Sequence, residues 1–167
     1  MVKPTIYLDT TIFSAYCYHP KSPIAVVLRS KTRQWWDEER NHFDLYASSI
    51  VLQELTNGVY PWQDASVRMA NRLRQLSITR EIQELHLSLI DTGVVPPSKP
   101  GDAMQIAIAT CHSIDYLLTW NYSHLANPTA QHKMEEVVKH LGYRPPLMVS
   151  PDTIPQVRFG HDLKRRF

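Results

Sequence analysis

Cysteine is nearly absent from the sequence: Cys17 and Cys111 are the only two, and no CxxC or other metal-type spacing accompanies them. That excludes a disulfide framework and a thiolate metal site, and both thiols read as reduced, with burial the favoured environment. The eight histidines are scattered and contain no HExxH, which argues against zinc chemistry. No apolar run approaches a membrane span, and the apolar start before Asp9 is far too short for a secretory leader. A cytoplasmic protein without membrane contact is therefore expected. Repeats and low-complexity segments are also missing. Charge of neither sign is in large excess, at a formal net +2 and a sequence pI near 8.6. A nucleic-acid partner has to be argued from where charge sits and not from its total.

What is present suits one domain: 167 residues with 43% hydrophobic content supply one sizeable core. Thr5-Ile-Tyr-Leu8 is a short apolar run of strand formers that ends at Asp9-Thr10-Thr11, a strand entering a helix cap. Ser22-Pro23 opens a helix from Ile24 to about Arg40, Asp44–Ala47 is a second strand, and Ser48-Ser49 caps a helix through Leu55 that Asn57-Gly58 stops. A helix is predicted from Pro61 to about Leu76, with Met69, Leu73 and Leu76 on one face, and another from Arg80 to Thr92. A loop then delivers Asp102 to a small, apolar helix from Ala103 to Cys111. Asp115–Thr119 is a buried strand, Gln131–Leu141 a last helix, and Leu147–Val149 a final strand. Strands alternating with helices imply right-handed crossovers and a parallel sheet covered on both faces. Ligands in such folds bind beyond the carboxyl ends of the strands, where Asp9, Asn121 and the start of the Glu54 helix should lie.

Taken singly, Asp9 reads as a helix cap, Asp102 as a helix-start acid and Asn121 as a turn residue. Glu54 is less easily explained, because it follows Ile50 by four residues and Val51 by three and so shares the face turned toward the protein body. Asp102 heads the face of Gln105, Ile106 and Ala109 in the same way. Inward carboxylates need a partner or a cation, and a cluster of them raises its own pKa values until a cation neutralises it. Oxygen-only ligation favours Mg²⁺ or Mn²⁺ over Zn²⁺. Such an ion lowers the pKa of its water and stabilises charge on a phosphodiester.

These segments, Tyr-Leu-Asp9-Thr-Thr, Ser-Ser-Ile-Val-Leu-Gln-Glu54-Leu, Gly-Asp102-Ala-Met-Gln-Ile-Ala-Ile-Ala and Asp-Tyr-Leu-Leu-Thr119-Trp-Asn121, resemble the PIN-domain family, close to the VapC-type toxins of toxin–antitoxin pairs. The resemblance runs from about Thr5 to Pro151. It implies a three-layer α/β/α fold with a five-stranded parallel sheet, and a PIN-like nuclease domain over residues 1–151 followed by a basic tail over 152–167. It further implies a Mg²⁺- or Mn²⁺-dependent endoribonuclease, an RNA substrate, a cognate antitoxin and a homodimer. Asp9, Glu54 and Asp102 would be its metal-site acids, Asn121 would stand at the fourth metal position, and Thr119, with Thr10 and Thr11, would supply supporting hydroxyls. Asn121 departs from the family, which often has aspartate there, and this favours one tightly held metal, with a second recruited only with RNA.

Rival readings are weaker. A haloacid-dehalogenase-type phosphatase needs a second aspartate two positions after the first, where this chain has Thr11, and a response regulator needs an acidic pair near its start. A non-catalytic PIN-like module that binds RNA or protein is the strongest alternative, with Asn121 its main support. Arg68, Arg72, Arg74 and Arg80 and the Lys164-Arg165-Arg166 tail read as phosphate contacts or, more simply, as a solvated face and a loose tail. Trp120 reads as a base-stacking residue or as packing under the sheet.

Overall fold

The computed structural model describes residues 2–121 and 128–154. Five strands form one sheet, β1 (Thr5–Leu8), β2 (Asp44–Ser48), β3 (Arg74–Leu76), β4 (Tyr116–Leu118) and β5 (Leu147–Val149), in the spatial order β3-β2-β1-β4-β5. Every neighbouring pair is parallel. β1 is central and loses its side chains to the core on both faces: Ile6, Tyr7 and Leu8 are fully buried, as a strand covered on both sides requires.

The helices among the described residues are α1 (Thr10–Cys17), α2 (Pro23–Glu38), α3 (Ser49–Thr56), α4 (Gln63–Asn71), α5 (Arg80–Asp91), α6 (Pro100–Cys111) and α7 (Pro128–His140). α1 packs on α2, α3 and α4, and α5 packs on α6. The expected three-layer α/β/α fold with a five-stranded parallel sheet is the observed one. Local chemistry sets the helix starts: Asp9 caps α1 by accepting from Thr11 N, Ser22 caps α2 with Pro23 at its first position, and Thr79 caps α5 by accepting from Ile82 N.

One predicted element is wrong. The helix expected from Pro61 to Leu76 ends at Asn71, and Arg74–Leu76 is instead the edge strand β3, paired with Tyr46–Ser48 of β2. The helical spacing of Met69, Leu73 and Leu76 arises because all three pack on the core from different elements. Other boundaries move by a few residues, most visibly α7, which begins at Pro128. Cys17 and Cys111 are free and half-buried, short of the full burial favoured from sequence. No helix among the described residues is long and apolar enough to cross a membrane.

Candidate acidic site at the carboxyl edge of the sheet

β1 ends at Leu8 and its next residue, Asp9, turns the chain into α1. The Asp9 amide donates to Leu118 O at 3.1 Å, and Thr119 N donates to Val149 O at 2.9 Å, so β1, β4 and β5 deliver their carboxyl ends to one edge. Asp9 is only 5% exposed. Its Oδ1 accepts from Thr11 N at 2.9 Å and from the Thr11 hydroxyl, and its Oδ2 accepts from Thr119 Oγ1 at 2.5 Å. Burial pushes the Asp9 carboxyl up to about 6; the Thr11 and Thr119 bonds oppose that shift, and the charge of Glu54 adds to it.

Glu54 reaches the same edge from α3. Its Oε2 accepts from the Thr10 hydroxyl, next to Asp9 in the chain, and from Gln105 Nε2 at 3.2 Å. Its Oε1 faces α6: a Cβ added to Gly101 would stand 2.8 Å from that oxygen. Asp102 follows Gly101 in the first turn of α6, where the helix dipole favours an anion. Asn121 Nδ2 donates to Asp102 Oδ2 at 3.0 Å, and Asn121 N donates to Thr119 Oγ1 at 3.0 Å. Asp9, Glu54, Asp102, Thr119 and Asn121 are thus joined through Thr10, Thr11, Gln105 and one another along one edge. Thr10 and Thr11 serve different acids, Thr10 holding Glu54 and Thr11 holding Asp9.

Among the described residues neither Asp9 nor Glu54 forms an ion pair. No three His, Cys, Asp or Glu side chains among them are set close enough to hold a metal ion as they stand. The donor chemistry nevertheless suits a hard cation: the side chains are carboxylates and an amide, and a buried carboxyl with a raised pKa beside a second acid is one that a cation would keep ionised.

Gln105 and Trp120, whose roles sequence alone left open, and Thr32, which it did not single out, complete the arrangement. Gln105 is 2% exposed and its Oε1 has no partner among the described residues, so its amide is committed to Glu54. Its place one turn after Asp102 was the available signal. Trp120 is tied down at two points: its amide donates to Thr11 Oγ1 at 2.9 Å, and its indole Nε1 donates to Thr32 Oγ1 at 2.7 Å. Thr32 is fully buried in the middle of α2, three residues before the buried Trp35, which is the clue a sequence offers to a threonine with an inward partner. The arginine series does not form one face. Arg68 and Arg72 line a cleft with Tyr16, Cys17 and Trp36, Arg74 lies over the Tyr46 ring, and Arg80 pairs with Glu84. The Lys164-Arg165-Arg166 tail lies outside the described residues.

No protein-family model matches the chain, and no curated protein sequence does. Solved structures do. VapC20 of Mycobacterium tuberculosis, a toxin that cleaves the sarcin-ricin loop, superposes with a TM-score of 0.50 at 16% identity, over 68% of this chain and 87% of its own. VapBC2 of Rickettsia felis, solved with a DNA fragment from its promoter, superposes with a TM-score of 0.55 at 15% identity, over 87% of this chain and 98% of the matched chain. The fold of this chain is the one those proteins share.

Proposed function

We propose that the chain is a metal-dependent endoribonuclease that hydrolyses RNA phosphodiester bonds, and the toxin of a toxin–antitoxin pair. The observation that carries this reading is the linkage of Asp9, Glu54 and Asp102 at the carboxyl edge of the parallel sheet. The fold shared with VapC20 and VapBC2 supports it. Asp9, Glu54 and Asp102, with the amide of Asn121, would hold Mg²⁺ or Mn²⁺, which supplies a water of lowered pKa and neutralises charge on the phosphate. The protein's own part is orientation. Thr11 and Thr119 fix both oxygens of Asp9, Thr10 and Gln105 fix one oxygen of Glu54, and Asn121 fixes Asp102. Carboxylates held in this way lose no orientational freedom when substrate arrives.

In this reading residues 1–151 are the nuclease domain, 152–167 a basic tail, and the protein works in the cytoplasm as a homodimer with a cognate antitoxin. The rival, a PIN-like module that binds without cutting, rests on Asn121, whose neutral amide takes up an Asp102 oxygen.

Incubation of the protein with structured RNAs in Mn²⁺, Mg²⁺ or EDTA, beside Asp102→Asn, tests the proposal. Cleavage that needs metal and that the variant loses is the expected result. Folded protein that binds metal and cuts none of the RNAs would favour the binding module.

A further inference from the structure

A second polar feature lies off the acidic edge, between the end of α1 and the outer face of α2. His19, Pro20, Val26, Arg29, Ser30 and Arg33 line an open cleft of about 410 Å³. No carboxylate lines it. Arg29 and Arg33 stand four apart on α2, and so project side by side from one helix face. Arg33 is oriented before any ligand arrives: its Nε donates to Tyr16 O at 3.2 Å and its guanidinium lies 5.1 Å from the centre of the Tyr16 ring. Those contacts leave the terminal nitrogens of its fork for something else. Arg29 Nε is buried and has no hydrogen-bond partner among the described residues. Among those residues neither guanidinium is paired with an acid. Two adjacent arginines without a counter-ion, one of them burying an unsatisfied donor, are costly unless an anion completes them.

The helix that carries the cleft also contacts the segment beside the acidic edge. Thr32 stands between the two arginines in sequence, and its hydroxyl receives the indole N–H of Trp120, the residue between Thr119 and Asn121. The helix that carries the cleft is thus braced by the segment that carries Thr119 and Asn121.

The geometry points to this cleft as a phosphate subsite that grips the backbone of the RNA substrate away from the cleaved bond, with Arg29 and Arg33 bridging one phosphodiester. Ser30 offers that phosphate a hydroxyl, and Val26 offers an apolar wall to the adjoining ribose. The inference rests on RNA being the substrate, as proposed above.

The test measures binding of a fluorescent single-stranded RNA by anisotropy across a salt series, using the cleavage-blocked Asp102→Asn protein as parent. Arg29→Gln with Arg33→Gln is compared with Arg29→Lys with Arg33→Lys, and with Lys31→Gln as a control for charge on the opposite side of α2. Circular dichroism of each protein confirms that it is folded. The Gln pair should weaken binding roughly tenfold and flatten the log–log salt slope by about 0.7, the loss of one phosphate contact on a single strand. The Lys pair should keep the parent's slope while losing part of the affinity, and Lys31→Gln should match the parent. A Gln pair with the parent's affinity and slope would overturn the subsite while leaving the nuclease reading intact. In a parallel titration with a fluorescent poly-glutamate peptide, binding lost in the Gln pair while its RNA binding stays at the parent's level would overturn the subsite in favour of a carboxylate site for a protein partner. A parent that binds no RNA, from a wild-type protein that cleaves none, would overturn both.

Discussion

Asn121 donates its side-chain amide to Asp102 Oδ2 at 3.0 Å, so the neutral residue at this position steadies an acid instead of adding one. Asn121→Ala should lower cleavage on the order of tenfold and raise the Mn²⁺ concentration needed for half-maximal rate, as loss of an orienting partner does. Asn121→Asp should act differently. It places like charges together, which metal relieves, so its rate should be poor at low Mn²⁺ and recover at high Mn²⁺. A rate–metal titration that superposes on wild type for both variants would remove Asn121 from the site.

Gly101 offers a separation of stability from activity. A Cβ there would meet Glu54 Oε1 at 2.8 Å, and that oxygen is the far end of a side chain that swings away at little cost to the fold. In a helix, alanine is also favoured over glycine by about 1 kcal/mol. Gly101→Ala should therefore melt at or slightly above the wild-type temperature while cleaving roughly a hundredfold more slowly, because Glu54 has been displaced. Wild-type turnover in a well-folded Gly101→Ala protein would show that the position of Glu54 is immaterial.

Trp120 tests whether an aromatic beside the acids binds base or braces the fold. Its indole N–H is satisfied by the buried hydroxyl of Thr32, which argues for bracing. Trp120→Phe should cost about 1–2 kcal/mol in urea unfolding, since it leaves a buried hydroxyl short of a donor, with RNA affinity within twofold of wild type. A large drop in RNA affinity with unchanged stability would assign Trp120 to stacking.

At the other end of the sheet, Asp115 clamps β4 to β1. Its Oδ2 accepts from Thr5 N and from Thr5 Oγ1, each at 2.9 Å, and its Oδ1 accepts from Arg144 at 3.0 Å. Burial raises the pKa of this carboxyl, but the Thr5 amide, Arg144 and the Thr5 hydroxyl outweigh it and hold it below the ordinary aspartate value. A pKa lowered by folding gives stability that is complete above the unfolded value, about 3.9, and that is lost as pH falls through the folded one. Asp115→Asn should thus cost on the order of 1 kcal/mol at pH 7, chiefly through the Thr5 bonds because the half-exposed Arg144 pair is screened by solvent, and should destabilise less than wild type does on acidification below pH 4 or so. Parallel stability–pH curves for the two proteins would exclude this contribution.

Four strands were legible because each is a short apolar run: Thr5–Leu8, Asp44–Ala47, Asp115–Thr119 and Leu147–Val149 carry the mark of a sheet covered on both faces. β3 was not. An edge strand of sequence Arg-Gln-Leu, with Arg74 and Gln75 exposed, has neither alternation nor an apolar run to reveal it, and Leu76 completed a helical spacing by coincidence. The three acids were legible by position, each entering a helix or facing its inner side. What joins them was not. The hydroxyl of Thr119 meets a carboxylate 110 residues earlier, and Gln105 meets Glu54 across 51 residues, pairings that depend on how β4 and α6 dock. The close approach of Gly101 to Glu54 is equally invisible until two helices are side by side.

The strand made first is the one that ends in the middle. During synthesis β1 gains β2 early, but its second neighbour, β4, and the hydroxyl that completes Asp9 arrive only after Thr119 has left the exit tunnel. Long-range parallel pairing of this kind forms late. A nascent chain therefore carries Asp9 without Thr119 and Glu54 without Gln105, so the acidic edge is completed only when α6 and β4 dock.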